Sequence, residues 1–152
     1  LKRAFLFSCL TGLRKSDIQK LTWGEVQKFG KYTRIVFKQR KTKGQEYLDI
    51  SSQAEKYLGE RGNPDDIVFT GFTYGSWTSL ELQRWSLAAG VNKNLTFHCG
   101  RHTFAVLMLD LGADIYTVSK LLGHRFLTTT QIYAKVLDKN KQNAVSLIPD
   151  IG

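Results

Sequence analysis

Apolar residues occur in short blocks along the chain, and a glycine follows most of these blocks. Residues 1–10 are mostly apolar and predict a core helix that ends at Gly12. Glycine adopts the left-handed conformation that terminates many helices, so its position marks the end of the helical pattern. The same pattern predicts three later helices, each followed by a glycine, over residues 78–89, 99–111 and 115–122.

Short helices are predicted where a serine, threonine or aspartate precedes an apolar turn. The side-chain oxygens of these residues accept hydrogen bonds from the first free N–H groups of a helix, and a glutamate three residues later strengthens the signal. Asp114 gives such a start to the helix over 115–122. The other helices predicted in this way run from Ser16 to Leu21, over 53–60, from Thr128, and over 139–147, and a further turn is predicted from Thr22.

The strand signals are confined to the first half of the chain. Tyr32–Phe37 and Glu46–Ile50 are rich in β-branched and aromatic residues, and they flank a basic segment, which predicts a β-hairpin. Ile67–Phe69 predicts one further short strand. The elements together predict an α+β fold that is mainly α-helical, with one small antiparallel sheet.

The chain has the size of one domain. Its 152 residues can enclose one hydrophobic core and are too few for two ordinary domains. A hydrophobic content of 42% with nine Phe, six Tyr and three Trp indicates a globular domain and excludes a disordered tail. The chain does not begin with methionine and opens inside an apolar stretch, so we expect residues 1–152 to be a single domain of a longer protein.

Positive charge is concentrated in the predicted hairpin. Lysine and arginine number 22 against 13 acidic residues, a net charge of +9. Such an excess by itself fits simple solvation as well as nucleic-acid binding. Four of the cations, however, stand close together in the turn, at Lys38, Arg40, Lys41 and Lys43. We therefore expect Lys38, Arg40 and Lys43 to contact the phosphates of a nucleic acid.

The remaining composition points to the interior of a cell. Cys9 and Cys99 lie in helix-like surroundings without metal-ligand spacing, which is typical of buried, reduced thiols. The longest apolar run, Ala4–Phe7, is far too short to cross a bilayer, and no signal peptide is visible. The expected location is the cytoplasm.

Six polar residues, spread over the chain in a fixed order, can together break a phosphodiester without a metal or other cofactor. Two guanidinium groups can hold one phosphate, a phenol can attack it, and a lysine and imidazoles can move protons. The six residues are Arg14, Lys41, His98, Arg101, His124 and Tyr133.

The order and local contexts of these residues resemble those of the tyrosine recombinases, the integrase family of phages and mobile elements. The contexts are Thr-Gly-Leu-Arg14, Lys41-Thr-Lys-Gly, His98-Cys-Gly-Arg101, Leu-Gly-His124 and Thr-Thr-Gln-Ile-Tyr133, from Leu1 to about Lys139. The resemblance implies the catalytic core of a DNA breaking-rejoining enzyme, which performs site-specific recombination or integration through a 3′-phosphotyrosine intermediate without ATP or a metal ion.

Residue roles follow from the resemblance. Arg14 and Arg101 would clamp the scissile phosphate, and Asp17 would support the site by orienting Arg14 or a histidine through a hydrogen bond. Lys41 would protonate the departing 5′ oxygen, although the basic context barely separates it from Lys43.

The histidines and the tyrosine complete the set of roles. His98 would assist proton transfer, and His124 would donate a hydrogen bond to a phosphate oxygen from a turn in which Gly123 has positive φ. Tyr133 would be the nucleophile, and it needs a positive environment because a free phenol has a pKa near 10. His102 is interpreted as structural.

Four other interpretations were considered. A helix-turn-helix over 114–136 would explain the charge but not the catalytic set, and a type IB topoisomerase would share that set. A metal site at His98 and His102 lacks the glutamate of the metalloprotease motif and a third ligand. A serine or cysteine hydrolase lacks Gly-x-Ser-x-Gly, and Cys99 stands on an apolar helix.

The resemblance also implies partners. The longer integrase would carry an N-terminal core-binding domain that clamps the duplex from the other side, and four copies would act on two paired DNA sites. Residues 139–152 would dock on a neighbouring subunit of that tetramer.

Overall fold

The computed structural model describes residues 1–38, 45–136, 141 and 144–149. Arg40, Lys41 and Lys43, the side chain of Lys38, and residues 139, 140, 142 and 143 of the helix predicted over 139–147 lie outside this part. The α-helices are α1 (Lys2–Thr11), α2 (Lys15–Lys20), α3 (Ser52–Glu55), α4 (Ser76–Ala88), α5 (His98–Asp110) and α6 (Ile115–Leu121). The strands are β1 (Val26–Phe29), β2 (Tyr32–Lys38) and β3 (Gln45–Ile50), and 3₁₀ turns cover Trp23–Glu25, Leu127–Thr129 and Gln131–Val136.

The α+β prediction, mainly helical with a small antiparallel sheet, is confirmed. The sheet has the order β1-β2-β3 with antiparallel pairing throughout. Val26, Ile35 and Leu48 are aligned across the three strands and buried on the inner face. The hairpin of β2 and β3 was predicted, whereas β1 was missed because this edge strand buries only its first residue and lacks an alternating pattern.

The main hydrophobic core lies between the sheet and helices α1 and α4. Phe7 and Ile18 from the first two helices, Ile35 from the sheet and Leu82 from α4 are completely buried in it. Helix α1 also packs against α5, and a Cβ at Gly100 of α5 would lie 2.9 Å from Ser8 Oγ. This close approach fixes the start of α5 against the end of α1.

A second, smaller cluster lies between α5, α6 and the last 3₁₀ turn. Phe104 and Leu109 from α5 pack with Val118 and Leu122, and the ring of Tyr133 joins them. The predicted nucleophile is therefore part of a hydrophobic cluster as well as a candidate for chemistry.

Gly12 joins the two clusters at the end of α1. Its φ of 70° is left-handed, and its N–H donates to Ser8 O at 2.9 Å, as predicted for the helix end. A Cβ at this position would also lie 2.6 Å from Phe104 Cδ1 and 2.9 Å from Leu122 Cδ2. Both the backbone conformation and the close packing therefore require glycine.

We expect Gly12→Ala to lower the free energy of unfolding by about 2–4 kcal/mol, from left-handed strain and from overpacking of the second cluster. Gly90→Ala is the matched control, because Gly90 has a φ of 74° with no atom within 4 Å of the added Cβ. That variant should lose only about 1 kcal/mol. Urea denaturation of both variants measures the difference, and equal losses would show that the packing around Gly12 contributes nothing.

Several predicted helix boundaries were wrong by a residue or more. Arg14, not Ser16, is the N-cap residue of α2. Helix α3 begins after Ser51, whose hydroxyl accepts from the N–H of Ala54 at 3.2 Å, and it ends at Glu55, well before residue 60. The chain turns at Gly59, whose φ is 83°, so the helix stops before the Gly-Asn-Pro sequence that was expected to end it.

The signals at Ile67 and Thr128 led to different structures from those predicted, whereas the turn predicted at Thr22 is present. Glu25 accepts a hydrogen bond from the N–H of Thr22, and a 3₁₀ turn over Trp23–Glu25 follows. Ile67 forms a single bridge with Thr22 instead of a strand. The region after Thr128 consists of 3₁₀ turns, so the second helix of a helix-turn-helix is absent from the described residues up to Val136.

The longest helices of the described part, α4 and α5, have 13 residues each, and no described helix is long and apolar enough to span a bilayer. Cys9 and Cys99 are both half-buried and form no disulfide. Burial raises the pKa of the Cys9 thiol to about 11, so this group remains protonated at neutral pH.

Candidate active site

Arg14 lies where the chain leaves α1 and enters α2. The left-handed turn at Gly12 redirects the backbone, and Arg14 then caps α2 with an extended conformation and an exposed side chain. Asp17 follows in the first turn of α2 and is half-buried. Its carboxylate forms an ion pair with Lys20 at 3.6 Å, whereas a hydrogen bond to Arg14 or a histidine was expected.

Arg101 is almost completely buried, with 5% of its surface exposed. Its Nη1 donates to Gly12 O at 2.7 Å, and its Nη2 donates to Leu122 O. The guanidinium group thus joins the ends of α1 and α6 from its position on α5. Two of its five N–H groups are bound to the backbone in this way, and three remain for an anion.

The charge on Arg101 persists despite its burial. Burial, followed by the positive charge of Arg14, lowers the pKa of Arg101 to about 10, and the charges of Tyr133 and Asp17 act in the opposite direction. A pKa of about 10 still leaves the group protonated at neutral pH.

A cleft of about 240 Å³ lies between the α1–α2 junction and the beginning of α5. Arg14 and Arg101 both line it, together with His98, the first residue of α5. Hydroxyl groups add further donors. The polar residues of the lining are Ser8, Arg14, Lys15, Ser16, Tyr74, Thr96, His98 and Arg101. Arg14 and Arg101, which the sequence predicts to hold the phosphate, thus line the same cleft, and this lining is strongly cationic.

The amino end of α5 also favours an anion in the cleft. His98 begins this 13-residue helix, and Thr96 and Phe97 precede it in the cleft wall. The first N–H groups of a helix have no partner within it, and the helix dipole places partial positive charge at that end. A phosphate in the cleft would meet two arginines and a helix terminus.

His124 stands in the turn after α6. Gly123 has a φ of 61°, as predicted, and the N–H of His124 donates to Ser119 O at 3.0 Å. The Nδ1 atom of His124 lies 2.8 Å from the hydroxyl of Thr130, which is completely buried. This contact joins the turn to the segment that carries Tyr133.

The charged groups of the cleft act on both histidines. The pKa of His98 is lowered by burial first, then by His102, Arg101 and Arg14. The pKa of His124 is lowered by burial first, then by Arg101, Arg14 and His98. Both imidazoles are consequently neutral at pH 7, where each can accept one hydrogen bond and donate another.

These shifts make stability depend on pH. Both histidines have a lower pKa in the folded protein than the ordinary 6.5, so the unfolded chain takes up protons at higher pH than the folded chain. The free energy of unfolding should therefore fall as pH decreases from about 7.5 to about 5.5. Urea denaturation across this range measures it. The double variant His98→Gln, His124→Gln should show a flatter dependence, and an increase in stability on acidification would contradict the prediction.

Tyr133 lies in the last 3₁₀ turn, and only 9% of its surface is exposed. Its hydroxyl forms a hydrogen bond with Nδ1 of His102, and the two rings meet edge to face with centres 5.5 Å apart. Burial raises the pKa of the Tyr133 phenol, and the charge of Arg101 partly opposes this. The resting group is therefore a neutral phenol at pH 7.

His102 was interpreted as structural from the sequence, and its contact with Tyr133 was missed. The available signal was its spacing of four residues from His98, which places both rings on one face of α5. From the sequence, that spacing suggested only a metal site. No group of three His, Cys, Asp or Glu side chains that could hold a metal ion occurs in the described ranges.

The cleft and Tyr133 both lie against helix α5. Arg14, His98 and Arg101 line the cleft, and the charges of all three lower the pKa of His124. Tyr133 contacts His102, which lies one turn beyond His98 on the same helix. Lys41, the expected proton donor, is outside the described residues, as are Arg40 and Lys43.

Known proteins resemble the chain over nearly its whole length. The sequence profile of the phage integrase family matches residues 1–140. Tyrosine recombinase XerC of Actinobacillus pleuropneumoniae is 34% identical over 134 residues, which cover 81% of this chain and 43% of XerC. Tyrosine recombinase XerD of Oceanobacillus iheyensis is 33% identical over 140 residues, which cover 83% of this chain and 46% of XerD. The chain thus spans less than half the length of these relatives.

Solved structures share the fold. The XerH site-specific recombinase bound to its palindromic difH substrate, in a post-cleavage complex, has a TM-score of 0.73 at 22% identity, over 96% of this chain and 45% of XerH. The catalytic domain of bacteriophage HP1 integrase has a TM-score of 0.65 at 25% identity, over 97% of this chain and 82% of that domain. Because the family profile extends over residues 1–140 and relatives above 30% identity cover four fifths of the chain, this chain belongs to the phage integrase family.

Proposed function

We propose that this chain is the catalytic domain of a site-specific DNA recombinase of the integrase type. It would cut and rejoin DNA through a 3′-phosphotyrosine. One observation carries the proposal. Arg14, His98 and Arg101 line a single cleft, and the hydroxyl of Tyr133 contacts the same helix one turn further on. This juxtaposition of a phosphate clamp and a phenol is what cleavage by a tyrosine requires.

In the proposed reaction, Arg14 and Arg101 hold two oxygens of the scissile phosphate. Their charge stabilises the additional negative charge that develops on the phosphoryl group in the transition state. The oxygen of Tyr133 forms a bond to phosphorus, and the bond from phosphorus to the 5′ oxygen breaks. Lys41 supplies the proton that the departing 5′ oxygen needs. Because the phosphotyrosine conserves the energy of the diester, attack by a 5′ hydroxyl rejoins the strand without ATP.

The histidines of the cleft have supporting roles in this proposal. His98 and His124 are neutral at pH 7, so each can donate one hydrogen bond to a phosphate oxygen. His124 is oriented by Thr130 through Nδ1, which leaves Nε2 for the phosphate. Asp17 supports the charge on Arg101, and no metal or other cofactor has a part in these steps.

The partner in this proposal is double-stranded DNA. Lys38, Arg40 and Lys43 of the basic hairpin would contact its phosphates, which accounts for much of the +9 net charge. The whole protein would add a core-binding domain before residue 1 and act as a tetramer on two paired sites. Residues 139–152 would contact the neighbouring subunit, and the reaction would take place in the bacterial cytoplasm.

A nicked suicide duplex tests the proposed function. When the strand breaks close to a nick, the short 5′-hydroxyl fragment diffuses away, so rejoining fails and the protein stays attached to DNA. We expect a covalent adduct that survives denaturing electrophoresis and forms equally well in excess EDTA. An adduct that requires a divalent cation would contradict the metal-independent chemistry. Relaxation of supercoiled DNA irrespective of sequence, without strand exchange, would indicate a type IB topoisomerase instead.

A further inference from the structure

Tyr133 must lose a proton when it attacks, and the side chain that its hydroxyl contacts is His102. The hydrogen bond joins the phenolic oxygen to Nδ1 of the imidazole, and Nδ1 accepts the phenolic proton when the ring carries its own hydrogen on Nε2. A general base must be within hydrogen-bonding reach of the proton it abstracts, and His102 fulfils that condition.

The position of His102 relative to the cleft supports a role in the chemistry. His102 follows Arg101 directly, and the ring of His98 meets the ring of His102 edge to face, with centres 4.4 Å apart. His98 lines the cleft. The side chains of Tyr133, His102 and His98 therefore form a continuous series of contacts from the proposed nucleophile to the proposed phosphate clamp. Arg101 also acts on Tyr133 through its charge.

We propose that His102 is a further catalytic residue of this site, the acceptor of the Tyr133 proton during strand cleavage. This inference rests on the proposed function. As the Tyr133 oxygen bonds to phosphorus, its proton moves to Nδ1 of His102, and the bond from phosphorus to the 5′ oxygen breaks. In the rejoining step the histidine returns the proton to the phenol. His102 therefore needs the neutral tautomer that carries its hydrogen on Nε2.

The elements packed around α5 carry several charged or titratable groups. Arg14 precedes α2, His124 lies in the turn after α6, and Tyr133 lies in the last 3₁₀ turn. Helix α5 adds His98 and Arg101, and α1 contributes Cys9, whose thiol forms a hydrogen bond with Thr103. Arg14 and Arg101, the two arginines of this group, act through their charges on both His98 and His124.

The test uses two replacements that differ in one property. His102→Asn keeps a hydrogen-bond acceptor near the place of Nδ1 but cannot take a proton, whereas His102→Phe removes the acceptor and keeps a ring. We expect both variants to form the suicide adduct about 10²–10⁴-fold more slowly than the parent protein. Val106→Ala, at an exposed position one turn further along α5, is the control and should cleave within about twofold of the parent.

The pH dependence separates proton transfer from positioning. The cleavage rate of the parent should rise with pH as the proton acceptor of the site loses its own proton, and this rise should be lost in His102→Asn. His98 and His124 remain in that variant, so a persistent rise would assign it to them and overturn the inference. Cleavage by His102→Asn within fivefold of the parent would overturn it as well.

A more acidic phenol gives an independent measurement that does not depend on the folding of a His102 variant. Difluorotyrosine at position 133 ionises more easily and needs a base less. In the parent background it should flatten the rise of rate with pH, and in His102→Asn it should restore cleavage at least tenfold. The same replacement should not rescue Arg14→Ala. An unchanged pH profile in the parent background would contradict a proton transfer to His102.

The outcomes distinguish the two proposals. A parent protein that forms no adduct under any condition contradicts the proposed function. A parent protein that forms the adduct, with His102→Asn equally fast, contradicts only the role of His102.

Discussion

Tyr133→Phe should abolish covalent attachment to a nicked suicide duplex, with adduct formation reduced by at least about 10⁴-fold. The change removes one oxygen, which is the atom proposed to bond to phosphorus. The ring packs in the cluster of Phe104, Leu109 and Val118, so phenylalanine preserves that packing. Only the hydrogen bond to His102 is lost from the fold, at a cost of about 1 kcal/mol.

Binding and cleavage can be separated in the same experiment. The affinity of Tyr133→Phe for an intact duplex should stay within about threefold of the parent, since phosphate contacts from Lys and Arg provide most of the affinity. Tyr116→Phe, at an exposed site on α6, controls for the loss of a phenol elsewhere and should form the adduct normally. If Tyr133→Phe still forms an adduct, another residue is the nucleophile, and peptide mapping of the adduct would locate it.

Arg101→Ala should lose both activity and stability, whereas Arg14→Ala should lose activity alone. Each variant removes one half of the proposed phosphate clamp, so cleavage should fall by at least about 10²-fold in both. Arg101 also donates to the buried carbonyls of Gly12 and Leu122. Removing it leaves those acceptors without a charged donor, which should cost about 2–4 kcal/mol of unfolding free energy. The exposed Arg14 should change stability by only about 0.5 kcal/mol.

Urea denaturation and adduct formation measured on the same preparations test this contrast. Arg101→Lys separates the effect of charge from the effect of shape. The ammonium group of lysine keeps the positive charge but lacks the planar fork that can bind two carbonyl oxygens and an anion at the same time. We expect this variant to recover less than half of the lost stability. If Arg14→Ala and Arg101→Ala unfold at the same urea concentration, the two carbonyl bonds do not contribute to stability.

The main elements could be predicted because their signals are local. Gly12 and Gly123 mark helix ends through backbone conformation, and both have positive φ. Helices α4, α5 and α6 were likewise predicted from apolar blocks that are each followed by a glycine. The grouping of Arg14, His98 and Arg101 was implied by the family resemblance rather than by any spacing, and these three side chains do line one cleft.

The parts that were missed depend on contacts between distant segments. His102 and Tyr133 are 31 residues apart, and Arg101 and Gly12 are 89 apart. No local pattern encodes which carbonyl an arginine will meet or which ring a phenol will face. Strand β1 was missed for a related reason, since it is paired on one side only and its residues show no alternation. Its existence depends on β2, not on its own sequence.

The two hydrogen bonds from Arg101 to carbonyl oxygens also connect the proposed chemistry with the folded state. An arginine that contacted only the phosphate could take up its position in a chain that is partly unfolded. Here the guanidinium group is held by the ends of α1 and α6, so its position depends on the packing of both helices around α5. Under the proposed function, a molecule that loses this packing also loses its hold on the scissile phosphate, so partial unfolding and loss of cleavage should occur together.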